Sequence, residues 1–82
     1  MILSLSELQP GDRVNVTQLP EEQGLANRLR EMGLLRGTEV TFVRRAPMGD
    51  PLEIRLRGYS LSLRSQEAQL VLVEKIEASD RL

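Results

Sequence analysis

Leu52, Ile54 and Leu56 alternate with Glu53, Arg55 and Arg57, and the alternation resumes after Gly58-Tyr59 with Leu61 and Leu63 in Ser60–Arg64. Successive side chains on a strand point to opposite faces, so the pattern predicts two strands, each apolar on one face, closed as a hairpin at Gly58-Tyr59. Two further segments have the same period. Arg13–Gln18 would turn Val14 and Val16 inward, and Thr38–Arg45 would turn Val40 and Phe42 to one face and Thr41 and Val43 to the other. A last strand, Val71–Ile76, closes the chain. The spacing between these segments is too short for the long crossovers that parallel strands require. Five short strands in 82 residues predict a mainly β, small SH3-like or OB-like barrel, in which curling the sheet reduces its exposed edges.

The rest of the chain supplies turns and one helix. Ser4-Leu5-Ser6-Glu7 fits a capping box, and Gln9-Pro10-Gly11-Asp12 limits that first helical element to one turn. After the first strand, Pro20 stands where a helix begins, with Glu21 and Glu22 matched to the positive end of its dipole. Leu25, Leu29 and Met32 then recur at helical spacing, and Gly33 suits the left-handed residue of a Schellman ending, with Leu34 packing back on Leu29. Leu35-Arg36-Gly37-Thr38 reads as a turn, and Ala46–Pro51, with two prolines and a glycine, as a loop. Ser65 is the expected N-cap of a helical turn before the last strand. Residues 1–77 are thus expected to form one domain and 78–82 a frayed tail.

Composition removes several classes of function. Histidine and cysteine are both absent, which takes away the usual general base near neutral pH, the best thiol nucleophile and the commonest transition-metal ligands. Neither a Gly-rich phosphate loop nor a carboxylate pair in a shared setting appears, so catalysis is not expected. The N-terminal stretch lacks the basic and apolar regions of a secretory signal, and nothing approaches a membrane span, which predicts a cytoplasmic chain with no membrane insertion. Its net charge of −1 conceals an asymmetry. Residues 28–64 hold eight arginines against four acidic residues, while both flanks are acidic. Arg44, Arg45, Arg55, Arg57 and Arg64 come from neighbouring strands. They form either a basic stripe for single-stranded nucleic acid or a solvated face paired with Glu39 and Glu53. With Phe42 and Tyr59 the only aromatics, the stripe lacks stacking platforms, and nucleic acid is the weaker reading. The remaining surface features are Leu34, Leu35 and Arg36 at the helix end and Pro47, Met48 and Asp50 in the loop. Leu35 is left between contact with a partner and closure of the barrel.

The order of "LSELQPGDRVNV", "LANRLREMGLLRGTEVTFVRRAPMGDPLEIRLRGYSLSLR" and "EAQLVLVEKI" resembles the ferrous iron transport protein A (FeoA) family over about residues 3–76. That family often carries proline where this chain has Arg36. The resemblance implies an SH3-like barrel acting as a cytoplasmic accessory of bacterial ferrous iron uptake. Its implied partner is the permease B component, a membrane protein with a cytoplasmic GTP-binding domain. Iron enters as transported cargo and transition-metal binding only as a family-level implication, while the residues themselves offer no cofactor site, metal-ligand set or catalytic residue. A related domain ends iron-dependent transcriptional regulators, which gives a second, regulatory reading. From the residues themselves, the expected contact surface joins Leu34-Leu35-Arg36 to the Pro47–Pro51 loop.

Overall fold

A computed structural model describes residues 1–76; the tail expected at 78–82 lies outside the described residues. The elements run β1 (Ile2–Ser4), a 3-10 turn (Leu5–Glu7), β2 (Arg13–Gln18), α1 (Gln23–Glu31), β3 (Glu39–Arg45), β4 (Leu52–Leu56), β5 (Tyr59–Leu63), α2 (Ser65–Ala68) and β6 (Leu72–Lys75). All strand pairs are antiparallel, in the order β1-β6-β2-β3-β4-β5. Among the described residues the sheet therefore has six strands where about five were expected. The additional one, Ile2–Ser4, is too short to have a readable period, and its pairing with β6 defines it.

The alternating segments bury the residues expected of them except Leu61, which is half-buried. Val14, Val16, Val40, Phe42, Leu52, Ile54, Leu56 and Leu63 line one core with Leu29 and Leu34 from the helical side. The capping box at the first turn is present: the Ser6 N–H donates to Ser4 Oγ at 3.1 Å and the Ser4 N–H to Glu7 Oε1 at 2.7 Å.

Three boundaries differ from expectation. α1 starts at Gln23, because the Glu22 carboxylate caps it, accepting from the N–H groups of Gly24 at 2.8 Å and Leu25 at 2.9 Å. Pro20 lies before the helix and is buried. The hairpin turn is Arg57-Gly58, not Gly58-Tyr59: φ is +49° at Arg57 and +85° at Gly58, and Leu56 pairs with Tyr59 across it. Positive φ at both central residues is the type I′ geometry that matches strand twist, and it places Arg57 in the turn and off the strand face. Finally, Arg64 is the N-cap of α2 and Ser65 its first residue.

Candidate functional site

The helix end is built as a Schellman motif. The Gly33 N–H donates to the Arg30 carbonyl at 2.9 Å and the Leu34 N–H to the Leu29 carbonyl at 3.0 Å, with Gly33 at φ +103°. Leu34 is thereby folded inward and fully buried. It was expected among the contact residues, and burial removes it from any contact surface.

Gly33 meets a second demand from β5. The Tyr59 hydroxyl donates to the Met32 carbonyl at the helix C-terminus, and a Cβ on Gly33 would overlap that hydroxyl oxygen. Tyr59 is thus a capping residue for α1. Its only sequence signal was being the sole tyrosine, next to a turn glycine. Sequence reasoning missed it.

Beyond Gly33 the chain forms a tied corner. The Thr38 N–H donates to the Leu35 carbonyl at 3.0 Å, closing a four-residue turn with φ +86° at Gly37. Two bonds anchor this turn to β2, from the Gly37 N–H to the Val16 carbonyl at 2.7 Å and from the Val16 N–H to the Thr38 carbonyl at 3.0 Å. Thr38, buried to 6% exposure, also accepts from the Leu35 N–H through its hydroxyl at 3.3 Å. The backbone of the corner is therefore held while the side chains of Leu35 (37% exposed) and Arg36 face outward. Arg36 also lines a cleft of about 530 Å³ with Thr17, Gln18, Leu19, Pro20 and Arg30.

Pro47 and Met48 lie elsewhere. They follow β3, while the corner precedes it, and six residue steps at roughly 3.3 Å put about 20 Å between the two ends of that strand. The corner and the loop do not form one patch. Met48 is 93% exposed at the loop tip. Asp50 is engaged within the fold: its Oδ1 accepts from the Ser65 N–H at 2.7 Å and the Ser65 hydroxyl at 2.9 Å, latching the loop to the start of α2.

These two bonds, the backbone one foremost, hold the Asp50 carboxyl below its ordinary value, and nearby Arg64 acts in the same direction. A carboxylate whose pKa is depressed on folding contributes stability above its unfolded pKa, and that contribution fades as pH falls through the lower folded value. Asp50→Asn should therefore lose stability near neutral pH and show a shallower acid decline than the parent below about pH 4. Urea midpoints measured from about pH 2 to 7 check both slopes.

The five arginines also separate. Arg44 pairs with Glu53 across β3 and β4 at 3.0 Å, as the solvated-face reading expects, whereas Glu39 is taken by Arg13 on β2 and not by the stripe. Arg45 is a structural clamp: its guanidinium donates to the Ser6 carbonyl and, at 3.1 Å, to that of Leu8, and lies 5.1 Å from the Phe42 ring centre. Arg55, Arg57 and Arg64 are exposed and have no acidic partner within 4.0 Å among the described residues. Phe42 is buried and offers no stacking platform, which leaves Tyr59, its hydroxyl bonded to α1, as the single exposed aromatic among the described residues. Among the described residues no three carboxylates gather where a metal ion would sit, and no helix is long and apolar enough to cross a membrane.

Residues 3–75 match the FeoA domain family. Over 77 residues the chain is 34% identical to the Fe(2+) transport protein A/Fe(2+) transporter FeoB fusion protein of Porphyromonas gingivalis, a match that takes in 94% of this chain and 9% of that protein. The chain thus spans under a tenth of that relative's length. Among solved structures, the FeoA-like protein of Clostridium acetobutylicum superposes with a TM-score of 0.85 at 42% identity, covering 93% of this chain and 88% of that one. The FeoA of Stenotrophomonas maltophilia, solved with zinc and described as a prokaryotic SH3 domain protein, gives 0.69 at 35% identity, covering 90% and 89%.

Proposed function

The chain belongs to the FeoA family, and from that membership we propose that this SH3-like domain is a non-catalytic accessory that binds and modulates the ferrous iron permease. A role in ferrous iron transport follows from the family and from its fused relative; contact with the permease is the further step. The observation that carries it is that fusion, in which a domain like this one shares a polypeptide with the transporter. The two are then held at high effective concentration, an arrangement suited to a domain that works on its neighbour. The permease's GTP-binding domain faces the cytoplasm in this reading, and this chain acts there.

The surface best suited to the contact is the Leu35-Arg36 corner. A partly exposed apolar side chain and a planar cation are neighbours on a backbone tied at both ends, so little backbone freedom is lost on binding. Arg36 fits a carboxylate on the partner. Chemistry on a substrate has no support, since histidine and cysteine are missing and the described carboxylates are scattered.

Leu35→Asp is expected to weaken binding to the permease about tenfold or more in calorimetry while leaving the urea midpoint almost unchanged. Met48→Asp, at the far end of β3, is expected to bind like the parent. Loss of binding in the Met48 variant with retention in the Leu35 variant would move the contact to the loop.

A further inference from the structure

The three arginines of this set that have no acidic partner within 4.0 Å among the described residues, Arg55, Arg57 and Arg64, all surround one element. Arg57 is in the turn that enters β5, Arg64 follows its last residue, and Arg55 is directly opposite Ser60 on β4. β5 itself is paired on one side only, at the end of the sheet order.

That free side has a defined hydrogen-bonding register. A two-residue type I′ turn closes on a hydrogen-bonded pair, here Leu56 with Tyr59, and such pairs alternate with non-bonded ones along an antiparallel ladder. Tyr59, Leu61 and Leu63 therefore turn their backbone groups toward β4, and Ser60 and Ser62 turn theirs away from it. No backbone or side-chain hydrogen bond reaches those outward groups among the described residues, and both serines are exposed.

Edges are usually blunted by a charge, a proline, a bulge or a covering segment. Tyr59-Ser60-Leu61-Ser62-Leu63 contains no charge and no proline, and its register with β4 is unbroken through all five pairs. β1, the other outer strand, has only three residues.

We propose that the β5 edge binds an extended acidic peptide segment by strand addition. The outward N–H and C=O groups of Ser60 and Ser62 would continue the ladder. Carboxylates on alternate residues of the added strand would meet Arg55, which reaches across the small Ser60, and Arg57 and Arg64 at the two ends. The intervening residues would be apolar and would pack beside Leu61, which β4 and the core leave only half-buried. The same charges disfavour a second copy of this chain: antiparallel pairing of β5 with itself, centred on Leu61, sets Arg64 of one copy beside the Gly58 turn and Arg57 of the other. β5 begins beside the helix end, where Tyr59 bonds the Met32 carbonyl, but the proposal does not depend on what the Leu35 corner binds.

The test is amide exchange on the isotopically labelled protein, titrated with a capped seven-residue peptide alternating glutamate and valine. Exchange at Ser60 and Ser62 should slow about fivefold or more at saturation, and the affinity should fall as salt is raised. Replacing glutamate with lysine in the peptide should abolish the effect, as should Arg55→Gln, Arg57→Gln and Arg64→Gln combined. Ser62→Pro should also block it, since the outward N–H that it removes is not part of the β4 ladder; the arginine variant keeps the test open if this one folds poorly. Equal binding of the lysine peptide, or no slowing at Ser60 and Ser62, would overturn the proposal. So would a single-stranded oligonucleotide that shifts the arginines without protecting these amides, or a peptide-free dimer by sedimentation with both amides already protected.

Discussion

Gly33→Ala should be among the most damaging single substitutions in the domain, lowering stability by roughly 2–4 kcal/mol. Two penalties combine. An L-residue is forced to φ +103°, and the new methyl group displaces the Tyr59 hydroxyl from the Met32 carbonyl. For a chain of this length the whole folding free energy is about 4–12 kcal/mol, so the variant approaches the limit of folding. A double-mutant cycle separates the two effects. Tyr59→Phe alone should cost about 0.5–1.5 kcal/mol for the lost bond. In the Gly33→Ala background it removes the clashing oxygen, so the double variant should be more stable than the sum predicts. Strict additivity in urea titrations would mean that the hydroxyl and the missing Cβ are not competing for the same space.

The second large effect separates two adjacent leucines. Leu34→Ala should cost about 2–5 kcal/mol, because Leu34 is fully buried and forms the apolar part of the helix ending. Leu35→Ala should stay within about 0.5–1 kcal/mol, since its exposed side chain leaves the corner's backbone bonds in place. Thermal or urea midpoints of the two variants provide the comparison. A Leu35 variant as unstable as the Leu34 one would make Leu35 a core residue and leave Arg36 alone at the corner.

This contrast was legible in the sequence to the extent that a local rule applied. The Schellman pattern at Met32-Gly33-Leu34 fixes the direction of Leu34 from three residues, and the alternation in Leu52–Leu56 fixes an inner face in the same way. Local rules failed where the deciding partner is distant in the chain. Tyr59 caps a helix that ends 28 residues before it, Arg45 clamps a turn near the N-terminus, and Ser65 is taken up by Asp50 instead of capping its own helix. Pro20 was a sound helix signal overruled by Glu22, whose carboxylate satisfies the N–H groups of Gly24 and Leu25, so that the helix starts three residues after Pro20. The basic stripe was a sum over five residues in which two are engaged in the fold and three have no acidic partner within 4.0 Å among the described residues. The corner and the Met48 loop looked adjacent because only eleven residues part Arg36 from Met48, yet most of those residues are a strand, which keeps its ends apart.

The pairing of β1 with β6 sets Ile2 opposite Glu74, so the first and last described strands bring their outer ends together. Traction applied through both ends would act across that ladder and open its bonds one after another, as a zip opens, instead of loading them all in shear. Held by one end only, the same domain transmits no tension through its sheet and swings from its attachment as a single body.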